Sequence, residues 1–192
     1  MQQIFIYLFE QIKIIRILQM EECQLQSLIN VEHNIVGVVM FDIDQTLTCP
    51  NSANAECSDD NNKKYMIDCL TLCNKNNVQI AINTARQEQD NILHSIPVTV
   101  LCLLHKINII YTRNPEYRNV EEDKFQKMQY HSKKYNIPLK KIILIDDRLK
   151  TCKYIRKKKG KCIHVKKKNG ITKREYDKLK IFIKRLKSQN KS

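Results

Sequence analysis

From Ile35 onward, short apolar runs alternate with longer stretches whose apolar residues recur at helical spacing. VGVVMFD (36 to 42), VQIAIN (78 to 83), INIIYT (107 to 112), KIILID (141 to 146) and KCIHV (161 to 165) are rich in β-branched residues and read as strands. The intervening segments read as helices near 63 to 76, 87 to 104 with a break at Pro97, 123 to 135, 149 to 158 and 173 to 187. Strands that are apolar throughout and separated by helices build a parallel sheet buried on both faces. The predicted fold class is therefore α/β, a Rossmann-like parallel five-stranded sheet with helices on both faces. Ahead of it, Ile4, Leu8, Ile12 and Ile15 share one helical face, which predicts an amphipathic N-terminal extension over 1 to 34 and a folded domain over 35 to 188.

Charge is uneven along this pattern. The formal net charge is +14, and residues 149 to 192 hold 18 of the 34 Lys and Arg but only Glu175 and Asp177 among the acids. Such a basic segment can hold nucleic acid or another polyanion by releasing counterions. Lysine enrichment of a solvated surface, as an AT-rich coding sequence produces, is the competing account. The apolar run IFIYLF is only six residues long and is followed by Glu10, Lys13 and Arg16, so no membrane span is expected. Eight cysteines show no CxxC pair and no regular spacing, which predicts reduced, idle or buried thiols and a cytoplasmic, reducing compartment.

In open parallel sheets, ligands bind beyond the carboxyl ends of the strands. The residues there are Asp42 and Asp44 after the first strand, Thr84 after the second, and Asp146 and Asp147 after the fourth. Four carboxylates gathered at one sheet edge repel one another unless a cation lies among them. Oxygen ligands at a partly hydrated site suit Mg²⁺ shared with a substrate phosphate. A rigid strand end can then aim Asp42 at phosphorus as a nucleophile while Asp44, two residues on, works as acid and base.

The residues DIDQTLT (42 to 48) resemble motif I of the haloacid dehalogenase (HAD) superfamily, D-x-D-x-T-[LV]. INTAR (82 to 86) is similar to its motif II, and IDDR (145 to 148) to its acidic motif IV. Lys124 lies 22 residues before Asp146, where motif III places its lysine. The resemblance covers residues 36 to about 165. Receiver domains use similar residues in another order, with the acidic pair first, whereas here the DxD leads.

The resemblance implies a Mg²⁺-dependent phosphatase working through an aspartyl-phosphate. It makes Asp42 the nucleophile and Asp44 the general acid/base, and it puts Thr84 and Lys124 on the phosphate, with Lys127 the alternative to Lys124. The metal set is Asp42, Asp44 through its main-chain carbonyl, Asp146 and Asp147, with Asp147 aligning slightly better as the direct ligand. Gln45 stands where many members have Gly, and Arg86 follows Thr84 closely enough to touch phosphate. The segment 49 to 64 is too short for a helical cap, so an open, nearly capless site is expected, fit for a large substrate such as a polynucleotide 3′-phosphate end. The alternative is a non-catalytic phosphate- or nucleic-acid-binding protein on the same fold.

Overall fold

The computed structural model describes residues 35–47, 60–86, 110–166 and 170–189. The elements in chain order are β1 (Gly37–Phe41), α1 (Asp60–Asn74), β2 (Val78–Asn83), β3 (Ile110–Tyr111), α2 (Val120–Lys134), β4 (Ile142–Asp146), α3 (Leu149–Lys157), β5 (Lys161–His164) and α4 (Lys173–Gln189). The five strands form one parallel sheet in the order β3-β2-β1-β4-β5. This is the α/β architecture expected from the alternation. The expected N-terminal helix and the helix over 87 to 104 lie outside the described residues, and of the expected third strand over 107 to 112 only residues 110 to 112 lie within them, with Ile110–Tyr111 as strand.

Period-two alternation divides the core. Val39 and Phe41 of β1 point to the face covered by α1 and α4, where Cys69, Leu70, Leu179 and Phe182 meet Ile80, Ile82 and Ile145. Val38 and Met40 point to the face covered by α2 and α3, where Phe125, Met128, Cys152 and Ile155 pack on Ile142 and Leu144. Every residue of β1 and β4 is buried, which is why both strands read as unbroken apolar runs. At the start of β1 only a glycine fits. A Cβ on Gly37 would come within 2.6 Å of Leu186 and 2.7 Å of the Lys141 carbonyl.

Helix α2 starts at Val120, three residues before the expected 123. Asn119 caps it by accepting a hydrogen bond from the Glu122 N–H, and the acidic Glu121, Glu122 and Asp123 favour its positive N-terminal end. Two of the cysteines expected to be reduced are instead joined. Cys152 of α3 and Cys162 of β5, separated by ten positions, are paired as a disulfide because the α3–β5 turn brings their Cα atoms within 5.3 Å. Cys69 and Cys73 are buried and free, as expected for core thiols.

The register fixes which strand ends lie side by side. Phe41 is abreast of both Ile82 and Ile145. One residue further, Asp42 therefore leaves the sheet beside Asn83 and Asp146, and its N–H still donates to the Ile145 carbonyl at 2.9 Å. The chain winds outward from β1 through β2 to β3, then returns to the other side of β1 as β4. Strands β1 and β4 thus flank the switch point where such sheets open a crevice.

Candidate active site

The crevice gathers Asp42, Lys124, Asp146 and Asp147. Lys124 is wholly buried, and its Nζ lies 2.8 Å from Asp42 Oδ1 and 2.6 Å from Asp146 Oδ2. Asn83, at the end of β2, donates its side-chain amide to the Lys124 carbonyl at 3.1 Å and so ties α2 to the strand end. Asp146 uses its other oxygen to accept the Arg148 N–H at 2.8 Å, which shapes the turn into α3. Lys127, the alternative partner, is engaged elsewhere. Its Nζ lies 2.7 Å from Asp123 Oδ2 and also donates to the Thr112 carbonyl.

Electrostatics show a deficit of positive charge. Burial, reinforced by Asp146 and Asp147 and only partly offset by Lys124, pushes the Asp42 carboxyl up to about 7. Asp147 is raised too, by burial and by Asp146. Burial opposes the Lys124 charge, but Asp42 and Asp146 outweigh it and hold the ammonium above its ordinary range.

Asp42, Asp146 and Asp147 each offer a carboxylate oxygen, and the three atoms lie within 4.8 Å of one another. Three close carboxylates with one ammonium between them fit a hard divalent cation such as Mg²⁺. The loop bearing Asp147 is held from below. His164 Nε2 lies 2.8 Å from the Asp147 carbonyl, and since a carbonyl only accepts, Nε2 carries the proton.

The other expected residues, Thr84 and Asp44, lie just past the ends of β2 and β1. Thr84 is buried, and its Oγ1 accepts the Arg86 N–H at 3.2 Å. The Asp44 side chain is not in the acidic trio. It accepts from Arg86, with Nε donating to Oδ2 at 3.1 Å and Nη2 to Oδ1. Gln45 has a φ of +55°, a left-handed conformation that favours glycine over a residue with a side chain. Beyond it, the Thr46 and Leu47 N–H groups both donate to the Ile43 carbonyl and wind the chain into a tight turn.

Asn83, His164 and the Arg86–Asp44 pairing were not legible in the motifs. Asn83 and His164 act on backbone carbonyls far away in sequence. A signal existed only for Arg86, whose nearness to Thr84 is visible in the sequence.

These features define a class of α/β protein with an acidic, lysine-bridged centre at the switch point of a parallel sheet. A DxD follows β1, a threonine follows β2, a lysine lies on α2 and an acidic pair closes β4, so the residues quoted for the resemblance to the haloacid dehalogenase superfamily stand at the strand ends and on the neighbouring helix. Neither a protein-family model nor a curated protein matches the sequence.

Among solved structures, the chain is similar to the HAD domain of effector protein Lem4 from Legionella pneumophila, at 19% identity, covering 77% of this chain and 94% of that one, with a TM-score of 0.47. It is also similar to a haloacid dehalogenase-like family hydrolase from Streptococcus pneumoniae, at 14% identity, covering 74% and 90%, with a TM-score of 0.46. A hydrolase from Pseudomonas syringae is similar at 18% identity, covering 74% and 90%, with a TM-score of 0.45. At such identities and scores the likeness concerns architecture alone.

Proposed function

We propose that the protein is a Mg²⁺-dependent phosphohydrolase that works through an aspartyl-phosphate on Asp42. The observation that carries this reading is the convergence of Asp42, Asp146 and Asp147 around a buried Lys124 at the end of β1. A purely structural centre gains nothing from three carboxylates so close together, whereas phosphoryl transfer needs a nucleophile, a cation and a divalent metal in one place.

Asp42, Asp146 and Asp147 would hold the metal together with the Asp44 carbonyl. When bound, Mg²⁺ supplies charge neutralisation between an anionic nucleophile and an anionic phosphate. The chain's own groups do the rest. An Asp42 oxygen attacks phosphorus as the bond to the leaving oxygen breaks, and Asp44 gives that oxygen its proton. Asp44 then takes a proton from water as the water oxygen attacks phosphorus, and the bond to Asp42 breaks to release phosphate. Lys124 and Thr84 meet the charge that spreads over the equatorial oxygens. Before this, the Asp44 carboxylate must turn from Arg86, and a substrate phosphate is a suitable competitor for that guanidinium.

The finer reading is an open, minimally capped site that accepts a large substrate, with a polynucleotide 3′-phosphate end as the specific candidate. The short segment between β1 and α1 and the basic character of residues 149 to 192 support it. The test is phosphate release from small phosphate esters and from a 3′-phosphorylated oligonucleotide, with and without Mg²⁺, for the wild type and Asp42→Asn. Metal-dependent release lost in the variant is expected. Equal release from both proteins would refute the assignment, and no release from any substrate by the folded wild type would favour the binding-protein alternative.

A further inference from the structure

A second feature lies away from the acidic centre, along the sheet edge formed by β5. Here Arg156 of α3, Lys161 of β5, and Lys178 and Arg185 of α4 surround a groove of about 360 Å³ floored by Ile143, Cys162, Ile181 and Phe182. No carboxylate lines it, and none of the four cations is in a salt bridge with a described residue.

The cations are close enough to disfavour one another's charge. Burial, then Arg185 and Lys140, lowers the Lys161 ammonium, and burial, then Arg174, lowers that of Lys178, with Glu175 opposing and Arg156 adding to the shift. Two of the four are held in place. The Arg156 guanidinium donates to the Cys162 carbonyl at 2.9 Å, and Lys161 Nζ lies 5.0 Å from the centre of the Phe182 ring. A composition-driven surface scatters its lysines. This arrangement concentrates cations from three elements over an apolar floor, including the half-exposed Ile181.

We infer that this groove binds a single-stranded polynucleotide, with phosphates on Arg156, Lys161, Lys178 and Arg185 and a base against the half-exposed Ile181. Three properties select that ligand. None of the four cations forms a salt bridge with a described residue, as suits a polyanion. Their floor is apolar, which suits the face of an unpaired base and not the phosphate exterior of a duplex. The volume is at the low end of small-ligand sites, about 300 to 1,000 Å³, so it takes one nucleotide-sized unit at a time.

Lys161 begins β5 and Ile143 lies beside it near the start of β4, so the groove sits toward the amino end of the strands. The acidic centre is at their carboxyl ends, about 10 Å further along β5. The groove is thus a gripping site separate from the catalytic crevice, and binding to it does not depend on the hydrolytic reading.

The experiment is fluorescence anisotropy of a labelled oligo(dT) of about twenty nucleotides, titrated with full-length Asp42→Asn protein in EDTA across a series of salt concentrations. On that background, Lys161→Gln/Lys178→Gln/Arg185→Gln is compared with the equally charged control Lys64→Gln/Lys75→Gln/Lys133→Gln on exposed positions of α1, its following turn and α2. Removing three phosphate contacts should weaken binding by about tenfold or more and flatten the dependence of log K on log salt by about 2, at about 0.7 per contact for a single strand. The control should change affinity by less than about threefold.

Equal losses in the two triples would show diffuse attraction and overturn the groove. So would absence of binding by the unsubstituted groove, and a duplex of the same length bound as tightly would overturn the single-strand assignment. Should the groove triple fail to fold, the surface variants Lys178→Gln and Arg185→Gln tested singly carry the same comparison against Lys75→Gln.

Discussion

Arg86 holds Asp44 by both carboxylate oxygens, with Nε on Oδ2 and Nη2 on Oδ1, while its own backbone N–H donates to Thr84 Oγ1. One residue therefore touches both the general acid/base and the phosphate-binding threonine of the proposed reaction. Its guanidinium is displaceable because the pair is partly solvated, with about a third of the Arg86 side chain exposed. Arg86→Ala should raise KM for a phosphate ester by roughly 3- to 30-fold through loss of a phosphate-facing cation. Asp44→Asn should instead lower kcat by about 10²- to 10⁴-fold. Steady-state kinetics of the two variants separate the effects, and a fall in kcat for Arg86→Ala as large as that of Asp44→Asn would show that Arg86 does more than bind and release.

Asp42→Asn should stabilise the metal-free protein while removing turnover. The folded carboxyl is raised from 3.8 to about 7, so the native state binds the proton more tightly than the unfolded chain does. Native stability is thus lost as pH rises from about 4 to about 7, and at pH 8 the asparagine avoids that loss. A gain of about 1 to 4 kcal/mol in EDTA is expected from urea unfolding. Mg²⁺ should stabilise the wild type more than the variant, and an unchanged Mg²⁺ response would count against Asp42 as a ligand.

Lys124→Met should be severe. It removes the one ammonium between Asp42 and Asp146 and leaves both buried carboxylates without it. The expected loss is about 3 to 5 kcal/mol. Adding Asp146→Asn should recover part of that loss without restoring activity. A double variant no more stable than Lys124→Met would mean that packing, not charge, set the penalty.

His131 should limit acid stability. It is fully buried and stacks on Tyr135 with centroids 5.5 Å apart. Burial, then Lys134, lowers its pKa from 6.5 to about 4. The unfolded chain takes up the proton first, so stability is retained above about 6.5 and falls as pH drops toward 4, by about 3 kcal/mol in all. His131→Phe should flatten this part of the pH profile of Tm, and an unaltered profile would remove His131 as its cause.

Gln45→Gly should be neutral or stabilising by up to about 1 kcal/mol, because the position is left-handed, whereas Gln45→Val should destabilise by at least a comparable amount. Thermal unfolding of both variants measures it. A destabilising glycine would indicate that the Gln45 side chain makes a contact worth more than the backbone strain.

Much of the site was legible because each strand carries its chemistry at its end. The buried strand Gly37–Phe41 leading into Asp42, and the run IILID ending at Asp146, mark where a buried strand meets a polar crevice. Asn83 was not legible as a site residue. It ends β2 like any polar terminator, and only the packing of α2 brings the Lys124 carbonyl within reach of its amide. The same holds for His164, whose target is a main-chain carbonyl 17 positions away. The disulfide was missed for a related reason, since Cys152 and Cys162 form no motif and meet only through the packing of α3 on β5.

The sequence by itself determined the order of strands and helices, the parallel class of sheet and the carboxylates, threonine and lysine that can meet at its edge. Alternation and helical periodicity are local, and a polar residue ending an apolar run is visible without a fold. The tertiary structure decided the partnerships. It chose Lys124 over Lys127 as the cation between Asp42 and Asp146, turned Asp44 toward Arg86, and gathered Arg156, Lys161, Lys178 and Arg185 around one groove. Those choices depend on strand register, helix docking and side-chain direction, which arise only when distant segments pack against one another.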